Sequence, residues 1–407
     1  RSPCDQDAHE FLPFKLGHFS LLKMLVNRCW YRYDTIDRGL GMRICLLEPY
    51  DTGSHGDWLR GYAAYSRHEV IPLTLDGRFW KWRMHGGAVT LARRYLDQDI
   101  SADLLLASDM LDLSTFRALT RRRTAHLPAV LYMHENQLTY PMRPGEKRDL
   151  HYGFINYASM LSSELVCFNS DFHRASWFDE LPRLLKHFPD YNELPSVDLL
   201  QVRSMTLPLG LDLEPLDAYR LRGERKGPAC ILWNHRWEYD KAPELFLQAL
   251  YRLQERGYDF TLALLGEAFV SIPPEFTEAQ ARLGKRIVQF GYLDARADYA
   301  RWLWQSDIVV STALHDFFGA AIVEALYCGC LPVLPDRLSY PQFIPAEMAG
   351  RCLYDSPEGL VDLLAAAIDN LAQTRATSLR EVAAQYDWSI MAPRYDAVFE
   401  ALLAREA

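Results

Sequence analysis

The sequence HDFFGAAIVEALYCGC at residues 315–330 decides the fold, together with the apolar run DIVVS at residues 307–311. The β-branched residues of the 307–311 run predict a buried strand, and the residues after Gly319 favour a helix. A strand that leads through a glycine into a helix places free backbone N–H groups and the positive end of the helix dipole at one edge of a sheet. Such an edge is suited to phosphate groups.

Two carboxylates flank the start of this predicted helix. Asp316 precedes it and Glu324 lies about one turn inside it, so the two side chains are too far apart to hold the same group. We expect one to contact a group in front of the helix and the other a group beside it, with a diphosphate between them. The alternative is an ordinary strand–loop–helix with Glu324 on a solvated face. Because the helix is otherwise apolar, an unpaired charge would be costly there, and we favour a nucleotide-sugar site.

The composition indicates a globular protein of two domains, because single cores rarely grow beyond about 250–300 residues. The chain has 407 residues, 49% of them hydrophobic, and a formal net charge of −9. This charge argues against a protein coated for nonspecific nucleic-acid binding, although a local basic surface stays open. The eight cysteines lack disulfide-framework spacing, and no apolar run reaches the roughly 18 residues that span a bilayer. We expect a cytoplasmic protein without stable membrane association.

Short apolar strands alternate with longer helical stretches, which is typical of α/β proteins with parallel sheets. We predict two Rossmann-like, doubly wound domains that face each other across a cleft. The predicted segments are an extension, native or added, at 1–41, a first domain at 42–219, a charged linker at 220–228, a second domain at 229–386 and a terminal helix at 387–407. The predicted strands are 44–47, 70–75, 104–107, 129–133, 165–168, 205–207, 230–233, 261–265, 287–290, 308–310 and 331–334.

Polar residues follow the first strand of each domain and the strand at 129–133. Arg236 and Lys241 are five residues apart, where they could clamp a diphosphate and neutralise it as it leaves. Alone they would more often be solvated surface cations, but beside residues 315–324 they indicate a donor site. His134 stands at a sheet edge where α/β proteins bind ligands, and it could bond a sugar hydroxyl or cap the next helix.

Two further motifs bear on cofactors. The glycines in YDTGSHGDW at residues 50–58 permit close approach of a ligand or merely a tight turn, and the segment lacks the G-x-G-x-x-G pattern of nicotinamide cofactors. Asp97 and Asp99 have the D-x-D form of metal-dependent transferases, but they fall at a polar helix end and not after a buried strand. We therefore expect them to be structural, and we expect no bound metal.

Taken together, these segments resemble the family 4 retaining glycosyltransferases with the GT-B fold, over nearly all of residues 42–405. The shared signature is an acidic residue, Phe-Gly, and a glutamate after four further residues, with Asp316 in place of the usual first glutamate. A narrower resemblance is to the tRNA-queuosine mannosyltransferases. It is carried by LEPY at 47–50, GSHG at 53–56, MHENQ at 133–137, FNSDF at 168–172, NHRWE at 234–238, HDFFG at 315–319 and YCGC at 327–330.

The resemblance implies a role for each part of the cleft. The implied catalytic residues are His134, Arg236, Lys241 and Asp316. The implied donor-binding residues are Gly53, Ser54, His55, Arg236, Lys241, Phe290, Gly291, Tyr292, Phe318, Gly319, Ala320, Ala321 and Glu324. Residues 53–55 would close over the donor, residues 290–292 would border the nucleobase, and residues 319–321 would offer backbone N–H groups to phosphate. Glu324 would hold the ribose, Asp316 and His134 would contact the sugar, and the terminal helix would cross back onto the first domain.

The resemblance also implies the reaction: a retaining transfer of mannose from GDP-mannose to queuosine in tRNA, with no permanently bound cofactor. Retention without an enzymic nucleophile suggests a front-face reaction in which the leaving phosphate takes the acceptor proton, with Glu135 as an alternative acidic helper. Recognition of the tRNA would need aromatic stacking surfaces. Candidates for stacking near the cleft are Trp58, Trp80, Trp82 and Tyr140, although a buried core is the commoner place for tryptophan.

Other functions remain open at this stage. A GT-B glycosyltransferase could have a lipid, protein or small-molecule acceptor, and a sugar-nucleotide epimerase or hydrolase has a similar shape. A catalytically inactive RNA-binding or scaffold protein on this fold would be expected to lose Arg236, Lys241 and Glu324, which are all present. The sequence leaves the choice of GDP or UDP, the sugar and the oligomeric state open.

Overall fold

The structure is a computed structural model that describes residues 41–142, 145–266 and 273–406. The predicted extension lies outside these ranges, except for Gly41. Within residues 42–407, two parallel sheets of six strands each account for the alternation seen in the sequence, in the orders β2-β1-β3-β4-β5-β6 and β12-β11-β10-β7-β8-β9. The strands are β1 Arg43–Asp51, β2 Glu69–Asp76, β3 Leu104–Ser108, β4 Ala129–Met133, β5 Leu165–Phe168, β6 Ser204–Thr206, β7 Ala229–Asn234, β8 Phe260–Leu265, β9 Ile287–Gly291, β10 Ile308–Val310, β11 Leu331–Pro335 and β12 Leu353–Tyr354.

Every predicted strand is present, and the prediction of two α/β sheets is confirmed. The sequence missed β12, because a strand of only two residues, Leu353–Tyr354, is too short to show a periodicity. The central strands β3 and β4 are buried along their whole length, as expected where helices cover both faces of a parallel sheet. The linker and the domain boundaries stay predictions.

Helices connect the strands, and several begin at side-chain caps that the sequence supplies. Ser170 accepts a hydrogen bond from the backbone N–H of His173, and Ser356 accepts one from that of Gly359. The helices are α1 Gly53–Tyr65, α2 Trp80–Asp97, α3 Leu113–Thr124, α4 Leu150–Leu161, α5 Asp171–Lys186, α6 Pro195–Val202, α7 Pro243–Glu255, α8 Pro274–Leu283, α9 Arg296–Gln305, α10 Ala320–Tyr327, α11 Ala349–Cys352, α12 Pro357–Asp369, α13 Leu371–Ala376, α14 Arg380–Ala384 and α15 Trp388–Glu406.

Each sheet has a point where the strand order reverses, between β1 and β3 in the first sheet and between β7 and β10 in the second. In open α/β sheets, ligands bind in the crevice outside the carboxyl ends of the strands at such points. The segments at these ends are the ones that the sequence singled out, at residues 53–55, 134–137, 235–241 and 311–319. The topology alone therefore predicts one site that both sheets share.

The last helix, α15, returns to the first sheet, as predicted. The Trp388 ring is 1% exposed and lies 6.3 Å from the Tyr62 ring of α1. The Tyr62 hydroxyl donates to Asp396 at 2.9 Å, and the Asp387 carboxylate accepts from the backbone N–H groups of Leu213 and Glu214. These contacts tie the end of the chain to the first half of the protein.

Candidate functional site

On the side of the second sheet, a buried lysine lies among carboxylates. Lys241 follows β7, is 8% exposed, and donates from Nζ to the carbonyl oxygen of His315 at 2.8 Å. The same Nζ lies 3.4 Å from the Asp240 carboxylate and 3.6 Å from that of Asp316. Burial acts to raise the pKa of Asp316, but the charge of Lys241 opposes it, and the pKa lies below its ordinary value. Asp316 is therefore ionised at neutral pH, beside a cation.

The start of α10 needs a glycine for two reasons. Gly319 has φ +96°, and a Cβ at this position would lie 3.1 Å from the Tyr340 ring. The Tyr340 hydroxyl donates to Asp316 at 3.1 Å, so the ring that would be crowded by a side chain at position 319 also orients the carboxylate. Ala320 and Ala321 form the start of the helix, where backbone N–H groups have no partner within the helix. This arrangement suits an anion in front of α10.

Glu324 is paired, as the cost of an unpaired charge on an otherwise apolar helix requires. Its side chain is 13% exposed, and its two oxygens accept from Arg296 at 2.5 Å and from the Tyr299 hydroxyl at 2.8 Å. The sequence did not identify Arg296 or Tyr299, because cations and tyrosines near the start of an amphipathic helix look like ordinary surface residues. Contact of Glu324 with a ribose stays a prediction.

On the side of the first sheet, Glu48 and His55 form a buried pair. Glu48 is fully buried at the end of β1, and one of its oxygens lies 3.0 Å from His55 Nδ1. Burial alone would lower the pKa of His55, but the Glu48 carboxylate outweighs burial and raises the pKa to about 9. His55 is therefore a cation at neutral pH, held in place by an acid that the sequence analysis did not single out.

His134 is neutral and lies against this cation. Burial, and then the charge of His55, lower the pKa of His134 well below its ordinary value. The centroids of the two rings are 4.2 Å apart, and neither ring nitrogen of His134 has a hydrogen-bond partner. A buried imidazole with two unpartnered nitrogens is costly by itself, so this side chain has capacity for a ligand.

The two sides meet around a cavity of about 150 Å³, lined by residues of both sheets. The lining residues are Ser54, His55, His134, Glu135, Tyr140, Asn169, Leu209, Arg236, Asp240, Lys241, His315, Asp316, Phe317, Phe318, Gly319 and Ala320. Contacts that hold the sides together include a hydrogen bond from the Ser170 hydroxyl to the carbonyl oxygen of Phe317 at 2.5 Å, and an Arg236 nitrogen that lies 3.4 Å from the Tyr140 hydroxyl. The structure thus brings most of the predicted site residues to one place.

Some predicted residues lie outside the lining of this cavity, namely Gly53, Phe290, Gly291, Tyr292, Ala321 and Glu324. The Phe290 ring packs on Trp237 at 4.8 Å and lines a more open groove of about 340 Å³ at the β9 edge. Tyr292 is 61% exposed. Gly53 directly precedes Ser54, so it remains at the mouth of the cavity. A nucleobase site at residues 290–292 stays a prediction.

The possible metal ligands fall in two places. Asp97 and Asp99 each pair with an arginine, Arg93 and Arg123 respectively, and both carboxylates are exposed. Among the described residues, the one group that could hold a metal ion is Glu48, His55 and His134, whose ligand atoms lie within 4.8 Å of one another. Because His55 Nδ1 already contacts Glu48, an ion pair accounts for this geometry. The expectation of no metal stays a prediction.

The Glu48–His55 pair predicts a pH dependence of stability. A raised folded-state pKa contributes stability that is present below about pH 6.5 and lost as the pH rises through about 9. We expect Glu48→Gln to remove this contribution, so the difference in free energy of unfolding between the two proteins should shrink by about 3 kcal/mol from about pH 6 to about pH 9. Denaturant unfolding of both proteins at several pH values measures this change. A difference in free energy of unfolding that stays constant with pH would contradict the Glu48–His55 ion pair.

Comparisons with known proteins agree with this geometry. Residues 43–211 match the family model for the N-terminal part of tRNA-queuosine alpha-mannosyltransferase, and residues 229–374 match that for glycosyl transferases group 1. The tRNA-queuosine alpha-mannosyltransferase of Drosophila melanogaster is 35% identical over 312 residues, which are 75% of this chain and 82% of that protein. A GDP-mannose-dependent alpha-(1-6)-phosphatidylinositol dimannoside mannosyltransferase of Mycobacterium tuberculosis is 26% identical over 46% of this chain and 49% of its own length.

Solved structures show the same fold at low sequence identity. Sucrose-phosphate synthase from Thermosynechococcus elongatus superposes with a TM-score of 0.67 at 15% identity, covering 89% of this chain and 100% of that one. A glycosyltransferase from Rickettsia africae superposes with a TM-score of 0.66 at 13% identity, and the match covers 90% of this chain and 99% of that one. No helix in the described part of the chain is long and apolar enough to cross a membrane.

The two sheets, the shared cleft and these matches define a glycosyltransferase with the GT-B fold. Within that class, the chain belongs to the tRNA-queuosine alpha-mannosyltransferase family.

Proposed function

We propose that this protein transfers mannose, with retention, from GDP-mannose to the queuosine of a tRNA. The observation that carries the proposal is the cavity itself, in which Arg236, Lys241 and the start of α10 face His55 and His134. Such a cavity offers cations and backbone N–H groups to a diphosphate on one side and an imidazole to a sugar on the other. The relatives named above supply the donor and the acceptor, which the geometry alone does not distinguish.

The charges fit a leaving diphosphate. Arg236 presents a planar fork and Lys241 a compact charge, and both lie next to the first turn of α10 around the same cavity. His55 adds a third cation from the first sheet, fixed by Glu48. Preorganised cations of this kind stabilise negative charge as it develops on the departing phosphate. The Asp316 carboxylate, which Tyr340 orients, is suited to accept hydrogen bonds from sugar hydroxyls.

We propose a front-face reaction. The bond between the anomeric carbon of the sugar and the phosphate oxygen breaks, and a bond from the anomeric carbon to an acceptor hydroxyl oxygen forms on the same face. The acceptor proton passes to the leaving phosphate oxygen, so atoms and charges balance without an enzymic nucleophile. The protein contributes positioning, charge stabilisation and exclusion of water. Glu135 lines the cavity, and burial raises its pKa, so it is an alternative acidic helper.

The test of this function is transfer of labelled mannose from GDP-mannose to tRNA that carries queuosine. The matched control is the same tRNA with guanosine in place of queuosine. We expect transfer to the first tRNA only. Transfer to neither, combined with transfer to a phosphatidylinositol mannoside, would favour the lipid-acceptor alternative that the mycobacterial relative represents.

Donor binding can be tested separately by thermal stability. A ligand at about 100 times its dissociation constant stabilises a protein by about 2.7 kcal/mol, which raises the melting temperature visibly. We expect GDP and GDP-mannose to stabilise the protein and UDP-glucose to leave it unchanged. Stabilisation by uridine nucleotides alone would contradict the proposed donor. A cytoplasmic location stays a prediction; the six cysteines in the described residues are all free and buried.

A further inference from the structure

The segment at residues 76–87, DGRFWKWRMHGG, interleaves aromatic and basic residues at the carboxyl end of β2 and the start of α2. Phe79 is 78% exposed and Trp82 is 65% exposed. These two rings, together with the exposed cations Arg78 and Lys81, are called the aromatic platform below. Exposed apolar groups that lie together often mark an interaction site. Two large aromatic side chains are exposed within four residues here, so we expect this surface to bind a partner.

The backbone of the platform is strained. Phe79 precedes α2 with φ +52° and ψ +57°, in the left-handed region that bulky residues avoid. Its carbonyl oxygen accepts from the N–H groups of Trp82 and Arg83, so this conformation starts the helix and at the same time holds the ring outside it. Strain of about 1–3 kcal/mol persists only where the surrounding structure holds it in place, and such residues cluster at binding sites.

The indole ring of Trp82 is fixed against helix α2 and presents a flat face. A Cβ on Gly86, one turn further along α2, would lie 2.5 Å from the Trp82 ring, so the indole lies directly over that glycine. One face of the indole is therefore covered by the helix and the other is open to solvent. A ring immobilised in this way can stack on a planar ligand with little further loss of side-chain entropy.

The platform adjoins the mouth of the cavity. A Cβ on Gly77 would lie 2.2 Å from the Thr52 side chain, and Thr52 directly precedes the Gly53–Tyr65 helix that carries His55. Trp80, between the two exposed rings, packs with Tyr50 against the small apolar cluster around Tyr152. The Tyr50 ring in turn lies 6.0 Å from that of His55, which lines the cavity.

The charge of the platform points to a polyanion. Arg78 and Lys81 are exposed cations, and Asp76 is the one acidic residue within 76–87, although the whole chain is acidic. Several other arginines in the first half of the chain are engaged elsewhere: Arg94 with the carbonyl oxygen of Thr74, Arg117 with Glu164 and Arg148 with the carbonyl oxygen of Gln137. Of the four candidates for stacking, Trp58 is 1% exposed, Trp80 and Tyr140 are half-buried, and Trp82 is exposed.

We propose that the aromatic platform binds the acceptor RNA, by stacking Phe79 and Trp82 on unpaired bases next to the modified nucleotide while Arg78 and Lys81 contact its phosphates. This combination of aromatic faces and cations is how proteins bind single-stranded nucleic acid. The inference rests on the proposed function, because it takes the acceptor to be an RNA loop. Beyond that function, it identifies the surface that holds the RNA loop outside the cavity.

The test compares Phe79→Ala, Trp82→Ala and the double variant with the wild type, with queuosine-containing tRNA as acceptor and GDP-mannose as donor. Stacking is worth about 1–3 kcal/mol per base, so each single variant should raise KM for the tRNA by roughly 5- to 150-fold. KM for GDP-mannose and kcat at saturating tRNA should stay within about twofold. Tyr191→Ala, which removes an aromatic ring that is 89% exposed elsewhere, is the matched control and should behave as the wild type.

Three results would overturn the proposal. One is a KM for the tRNA that stays within twofold of wild type in the double variant, while the wild type itself transfers mannose to the tRNA. Another is an equal rise in KM for GDP-mannose, which would assign the platform to the donor. The third is cosedimentation with phosphatidylinositol vesicles that the variants lose, which would assign it to a membrane surface. Failure of the wild type to mannosylate the tRNA would instead refute the proposed function.

A second measurement does not depend on catalysis. Fluorescence anisotropy with an anticodon stem-loop RNA should show weaker binding by the double variant. Lys81→Gln should reduce the slope of log affinity against log salt concentration by about one, because one phosphate contact is removed. An unchanged salt slope together with unchanged affinity would exclude the platform as an RNA surface.

Discussion

Replacing Lys241 by alanine is expected to lower kcat by roughly 10²–10³-fold. Lys241 is the buried cation of the cavity, with its Nζ 3.6 Å from Asp316 and bonded to the carbonyl oxygen of His315. In the proposed reaction its charge balances the diphosphate as the glycosidic bond breaks, and loss of one preorganised group of this kind costs about 2.7–4 kcal/mol of transition-state stabilisation. Steady-state kinetics with GDP-mannose and queuosine-containing tRNA measure the effect.

The lysine also has a local structural role, so the kinetic loss needs controls. Lys285→Ala removes an exposed cation at a distance from the cavity lining and should leave kcat unchanged. Lys241→Arg retains the charge with a different shape and should recover part of the activity. Melting temperatures show whether each variant is folded. A folded Lys241→Ala protein with kcat within threefold of wild type would remove this residue from the proposed mechanism.

Replacing Trp388 by alanine is expected to destabilise the protein by about 3–5 kcal/mol, the usual cost of deleting a large aromatic side chain from a core. The indole is 1% exposed and lies between two backbones. A Cβ on Gly61 would lie 1.9 Å from Trp388 Nε1, and one on Gly210 would lie 2.2 Å from the ring. No neighbouring side chain can fill the space that the indole leaves between these glycines without a backbone shift. Denaturant unfolding measures the change.

The two glycines supply an independent check of this packing. Gly61→Ala should also be strongly destabilising, because a methyl group there has to displace the indole or the helix that carries it. Ile390→Ala, in the same helix but at a position that is 40% exposed, is the matched control and should change stability by less than about 0.5 kcal/mol. Wild-type stability in Gly61→Ala would show that α15 does not anchor on the first sheet as described.

The sequence predicted the sheets well because their signal is local. Each strand of four or more residues is an apolar run between polar or glycine-bearing segments, and burial on both faces of a parallel sheet requires that run. The short strand at Leu353–Tyr354 has no such signal and was missed. Arg236, Lys241 and Gly319 were identified for a similar reason, since they lie in the segments that come after strands β7 and β10, and the ends of parallel strands converge in space.

The partners of the site residues were much harder to identify. Glu48 reads in the sequence as the polar end of an apolar strand, yet it sets the charge of His55 seven residues later. An unpaired charge at Glu324 was expected to be costly, but its partners Arg296 and Tyr299, which lie 28 and 25 residues away in the chain, were not identified. Neither pairing has a spacing that a periodicity could reveal, because both depend on how helices and loops pack side by side.

The amino-acid sequence by itself determined the class of this protein. It showed parallel α/β sheets, a helix that begins directly after a glycine and shortly after an acidic residue, and two cations placed for a diphosphate. These are short-range properties, set by neighbouring residues and by the polarity of each strand. Only the tertiary structure decided which aromatic rings are exposed, which arginines are already engaged, and that a buried carboxylate keeps His55 charged. Exposure and pKa depend on every group that comes within a few ångströms, and the chain brings most of those groups from distant positions.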